Sequence, residues 1–117
     1  MITLALSTYN RLSYLKECLH SFSNLAPLPD EIVIVNDGST DGTREYLNQL
    51  VKTNPLVRVA HHENNAGLSA GRNTAIQQAR GDLIAFTDDD CRVDPQWLTE
   101  LIKPFGDPGV VLSLIHI

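Results

Sequence analysis

Four short runs of aliphatic and β-branched residues alternate along this chain with segments whose apolar residues recur at helical spacing. Ile2–Ser7 reads as a first strand. From Leu12 the apolar positions Leu12, Leu15, Leu19 and Phe22 recur three or four apart, with Cys18 on the same side, which predicts a helix. Pro27 and Pro29 close that unit. Glu31–Asn36 predicts a second strand, and its unbroken Ile-Val-Ile-Val run suits a parallel strand covered on both faces. A turn cluster, Asp37–Gly42, follows. Thr40 or Asp41 is placed there to cap a helix running to about Lys52, and Asn54-Pro55 breaks that helix. Val57–Ala60 predicts a short third strand. After the loop Asn64–Gly67, Leu68–Ala79 predicts a helix rich in small residues, with Gly81 where a helix C-terminal glycine belongs. Asp82–Thr87 predicts a fourth strand. Pro95 opens a last helix carrying Trp97, Leu98, Leu101 and Ile102, ended by Pro104 and Pro108-Gly109.

The order β-α-β-α-β-α-β-α predicts an α/β fold: one open, mostly parallel sheet with flanking helices and right-handed crossovers. A chain of 117 residues is one domain at most. Its end, Val110–Ile117, admits two readings. One is a fifth strand. The other is a non-native tail over 112–117, because Ser113–Ile117 resembles a translated sequencing adaptor.

No apolar run approaches the ~20 residues of a membrane span. Met1 runs straight into Ile2-Thr3-Leu4 without a basic leader or cleavage site, so no signal peptide is expected. Cys18 and Cys91 read as reduced thiols, which fits a cytoplasmic protein. The net charge of −5 argues against nucleic acid as a partner. A phosphorylated ligand would need backbone N–H groups or a divalent cation to offset that charge.

In open α/β sheets ligands bind outside the carboxyl ends of the strands. Those ends carry Ser7-Thr8-Tyr9-Asn10-Arg11, Asp37-Gly38-Ser39 and Asp88-Asp89-Asp90, and Asn65-Ala66-Gly67 leads into the third helix. Neither a Gly-x-Gly-x-x-Gly turn nor a phosphate-cradling Gly-x-x-x-x-Gly-Lys loop is present. A nucleotide here would be recognised by side chains: Tyr9 offers a ring face to a base, Thr8 and Asp37 offer hydrogen bonds. Asp88 and Asp90 flank Asp89, and alternate residues at a strand end point the same way. Both then face one cation and the substrate, with Mg²⁺ or Mn²⁺ favoured by an oxygen-only donor set. The plainer reading is a solvated acidic turn in which Asp90 or Asp94 caps the Pro95 helix. Cys91 is not expected to bind a hard cation. Arg72 and Asn73 lie within reach of the site. His61 and His62 read as structural, Lys16 and His20 as solvated, Trp97 as a core anchor, and Asp41 as acting only at a helix start.

These segments together resemble the family 2 glycosyltransferases with a GT-A fold, whose first half is Rossmann-like. The matching pieces are Ser7–Arg11, Glu31–Thr43, Asn64–Asn73 and Asp82–Asp90 leading to Pro95, in the family's order and spacing. The resemblance implies a nucleotide-diphospho-sugar donor, usually a UDP-sugar. It implies substrate contacts from Thr8, Tyr9, Asn10, Arg11, Asp37, Gly67, Arg72, Asp88 and Asp89. It also implies an Asp-x-Asp metal motif of Asp88 and Asp90, with Asp90 the closer ligand. Residues 1–111 then form the donor-binding part. Family members continue past Gly109 into a half that binds the acceptor and supplies the general base for inverting transfer, so no base is assigned here. The acceptor, whether saccharide, lipid or protein, stays open. In a longer protein the site would lie in the cytoplasm or at the cytoplasmic face of a membrane. A catalytically inactive nucleotide-binding module is the main alternative. A sugar-phosphate nucleotidyltransferase would need a glycine-rich first loop. An aspartate-nucleophile phosphatase wants its Asp-x-Asp after an early strand rather than the fourth.

Overall fold

The computed structural model describes residues 1–25, 28–90, 95–102 and 112–114. Pro27, Cys91, Asp94, Pro104, Pro108-Gly109 and residues 115–117 lie outside the described residues. The elements alternate as expected: β1 (Ile2–Thr8), α1 (Leu12–Phe22), β2 (Glu31–Asp37), α2 (Thr43–Thr53), β3 (Val57–His62), α3 (Leu68–Gln78), β4 (Leu83–Phe86), α4 (Trp97–Ile102) and β5 (Leu112–Leu114). The strands form one sheet in the order β3-β2-β1-β4-β5, and every neighbouring pair is parallel.

Strand side chains alternate between faces, and the core divides accordingly. Leu4 and Leu6 of β1, Ile32 and Ile34 of β2 and Ala85 of β4 pack with Leu15, Cys18 and Phe22 of α1, Leu47 of α2 and Leu98 of α4. Trp97 packs half-buried against this cluster. Ala5, Val33, Val35, Ile84 and Phe86 face the other way, against Ala75 of α3. The apolar run of β2 is thus covered on both faces. Among the described residues no helix is long and apolar enough to cross a membrane.

Three local expectations change. β3 runs two residues past Ala60, so His61 and His62 lie within the strand, opposite Asn36 and Asp37. Gly81 does not cap a helix: α3 ends at Gln78, Ala79 is already extended, and Gly81 N donates to Thr3 Oγ1 at 3.0 Å. A Cβ on Gly81 would lie 2.4 Å from that hydroxyl, so close approach explains the glycine. Asp41 serves two helices rather than one. Its Oδ1 accepts from Thr43 N and Oγ1 at the start of α2, and its Oδ2 accepts from Leu12 N at the start of α1, 3.1 Å away. Burial alone would raise the Asp41 carboxyl; the donors from Thr43 and Leu12 outweigh it and hold the group below the usual carboxylate range.

Candidate functional site

Beside β1 the strand order reverses, with β2 and β3 on one side and β4 and β5 on the other. Crevices at the carboxyl ends of such sheets open at this switch point. Here the ends of β1 and β4 meet α3, which leaves a small cleft lined by Ser7, Leu68, Gly71, Arg72, Thr87 and Asp88 among others. Gly71 lets α3 approach β1: a Cβ there would lie 2.5 Å from Ser7 Oγ.

At the β1–β4 junction the buried Thr8 donates its hydroxyl to Asp89 Oδ2 at 2.8 Å. Asp89 is itself buried, and burial raises its carboxyl above the usual range, against the lowering pull of Thr8 and Arg11. Arg11 Nη1 lies 3.2 Å from Asp90 Oδ2 and 3.7 Å from Asp89 Oδ1. The buried Cys18 thiol donates to the Asp88 carbonyl at 3.4 Å, so α1 also ties down the acidic turn. Asp89 and Asp90 therefore part from each other. Asp88 lines the cleft, Asp89 points inward to Thr8, and Asp90 meets Arg11 at the surface.

The second cluster gathers around Asp37. His62 Nδ1 lies 2.7 Å from Asp37 Oδ1, which also accepts from Ala66 N at 2.9 Å, while Oδ2 accepts from Gly67 N at 3.0 Å. Because a carboxylate only accepts, Nδ1 carries the His62 proton, and Nε2 meets Thr74 Oγ1 at 2.8 Å. Burial alone would raise the Asp37 carboxyl. The donors His62, Ala66 and Gly67 more than offset it and hold the group below the usual range. Two glycines make this turn possible. Gly67 takes φ +96°, and a Cβ on Gly38 would lie 2.6 Å from the Asn64–Asn65 peptide. His61 points the other way. Its Nδ1 accepts from Asn36 Nδ2 at 3.0 Å and its Nε2 donates to Asn48 Oδ1 at 2.9 Å.

The structure brings Thr8, Arg11, Asp88, Asp89, Asp90 and Arg72 to the β1–β4 end, and Asp37 and Gly67 to the neighbouring β2–β3 end. Tyr9 is exposed, as a stacking surface must be. Asn10, at φ 50°, is exposed and braces the turn: its N–H donates to Ser39 Oγ and its Oδ1 accepts from Thr40 N at 2.7 Å. Asn73 faces solvent. Sequence reasoning took His62 as structural without its partner and gave Cys18 no place at the site; the strand register that sets His62 opposite Asp37 is not legible in the sequence. Among the described residues no three His, Cys, Asp or Glu side chains converge as a ready-made cation cage. The half-exposed carboxylates of Asp88 and Asp90 nevertheless fit a Mg²⁺-type ion that takes few protein ligands and completes its shell from phosphates and water.

The sequence matches the family model described as glycosyl transferase family 2 over residues 3–117. The chain belongs to glycosyl transferase family 2. It is 37% identical over 106 residues to EpsH of Bacillus subtilis (strain 168), covering 91% of this chain and 30% of that protein. It is 35% identical over 102 residues to the glycosyltransferase GlyA of Streptococcus pneumoniae serotype 4, covering 87% of this chain and 14% of that protein. Among solved structures it is similar to the mannosyltransferase PcManGT from Pyrobaculum calidifontis in complex with GDP-Man and Mn²⁺, at TM-score 0.82 and 28% identity, covering 93% of this chain and 33% of that one. It is similar also to S. aureus TarS in complex with UDP-GlcNAc, at TM-score 0.75 and 28% identity, covering 88% and 31%. This family 2 chain spans about a third or less of the length of the first relatives and structures it matches.

Proposed function

We propose that this chain binds a nucleotide-diphospho-sugar, a UDP-sugar in the first instance, together with Mg²⁺ or Mn²⁺. In this reading residues 1–111 are the donor-binding part of an inverting glycosyltransferase. The observation that carries it is the placement of Asp88 and Asp90 at the end of β4, with Asp88 lining the switch-point cleft beside Arg72. Asp90 and Asp88 would hold the cation, which when bound offsets the charge of the leaving diphosphate. Tyr9 offers its exposed ring to the base. Asp37 accepts from three protein donors, which leaves one carboxylate lone pair by count; that lone pair would accept from the base or ribose while Asp37 braces Gly67. Arg11 and Arg72 supply positive charge on either side of Asp88–Asp90. The acceptor and the general base belong to the rest of the enzyme. The experiment that tests the donor assignment is a competition titration of UDP against GDP with excess Mn²⁺. Tighter UDP binding, weakened by Tyr9→Ala, is expected. Equal affinity for the two nucleotides overturns the uridine assignment.

A further inference from the structure

Arg11 is delivered to the acidic turn on a rigid mount. Asn10 N donates to Ser39 Oγ, Asn10 Oδ1 accepts from Thr40 N, and Leu12 N donates to Asp41 Oδ2. The backbone on both sides of Arg11 is thus held by the loop after β2. From there one guanidinium nitrogen reaches two carboxylates, 3.2 Å from Asp90 and 3.7 Å from Asp89. Asp90 is the carboxylate at which this guanidinium and a cation held by Asp88 and Asp90 would compete. The pair is exposed, with the Arg11 side chain at 52% and Asp90 at 45%, so it is held weakly and is cheap to exchange.

We infer that Arg11 is an exchangeable counter-ion: it neutralises the acidic turn in the metal-free chain, and moves to the donor diphosphate when the cation takes Asp90. This rests on the metal-dependent donor binding proposed above. Guanidinium and cation repel each other if both stay against Asp90, so metal binding expels Arg11. The expelled side chain remains on its fixed turn at the mouth of the site. Its planar fork matches phosphate oxygens, where a lysine would supply only a point charge. Arg11 therefore opposes the metal alone and favours the metal with its nucleotide. A permanent structural ion pair would oppose the metal with and without the nucleotide.

The test is Mn²⁺ binding without nucleotide, read by the electron-paramagnetic signal of free Mn²⁺, beside UDP binding at saturating Mn²⁺, in wild type, R11Q and R11K. Thermal melts confirm that each variant is folded. R11Q is expected to bind Mn²⁺ alone about two- to fivefold more tightly, the range an exposed ion pair spans, and to bind UDP with Mn²⁺ about tenfold more weakly, as for a lost charge-assisted hydrogen bond. R11K should leave Mn²⁺ affinity near wild type and recover only part of the UDP affinity. Unchanged or weaker Mn²⁺ binding in R11Q, with the wild type still needing metal for UDP, overturns this inference alone. Wild-type UDP binding that survives chelation overturns the metal reading and this inference with it.

Discussion

Thr8 Oγ1 donates a 2.8 Å hydrogen bond to the buried carboxylate of Asp89, joining the carboxyl ends of β1 and β4 across the switch point of the sheet. Asp89 follows Asp88 and precedes Asp90, so this bond fixes the turn from which both neighbours project. Thr8→Val keeps the shape and removes the donor. It should cost about 1–3 kcal/mol, the price of a buried acceptor left short of a partner. Urea denaturation of Thr8→Val and Thr8→Ser checks this: Ser should retain most of the stability. An unchanged midpoint in Thr8→Val would show that the bond contributes nothing.

His62 holds Asp37 from the neighbouring strand and Thr74 from α3 at once. His62→Ala should destabilise the chain by about 1–3 kcal/mol and speed hydrogen exchange at Ala66 and Gly67, whose amides share Asp37. Exchange at those two amides that matches wild type would mean that His62 does not brace the loop.

Asp37 also sets a pH signature. Its folded carboxyl titrates below its ordinary value despite burial, because three donors stabilise the charged form. Its stabilising contribution is therefore complete above the unfolded value of about 3.9. It is lost as pH falls through the lower folded value. The stability gap between wild type and Asp37→Asn should be constant near neutrality and narrow below about pH 4. Urea melts across pH 3–7 read it directly; a gap independent of pH would contradict the assigned charge state.

The sequence carries the local part of this account and conceals the non-local part. Leu15, Cys18 and Phe22 mark α1, and Ile32–Val35 marks β2, because periodicity and apolar runs report burial on each element's own faces. The end of β3 is hidden, since His61 and His62 break the apolar pattern while the parallel ladder continues through the backbone. The acidic turn shows as a motif, but the parting of Asp89 and Asp90 does not. Thr8 and Asp89 are 81 positions apart, and Arg11 and Asp90 79, so no local pattern pairs them. Asp41 looked like a cap for one helix because its bond to Leu12 crosses 29 positions. Asp41→Ala is consequently no neutral comparison for the site, since it also loosens the turn that carries Arg11.

Asp82 is the better comparison. It sits just before β4, at the far end of the sheet from the cleft, with its side chain 87% exposed beside the N-terminal amine. The measurement that bears most directly on the account is UDP titration of the chain with Mn²⁺, with Mn²⁺ removed by chelation, and with Asp90→Ala and Asp82→Ala. Chelation and Asp90→Ala are each predicted to weaken UDP binding at least about tenfold, roughly 1.4 kcal/mol, while Asp82→Ala binds as wild type does. Equal UDP affinity with and without the metal would contradict this.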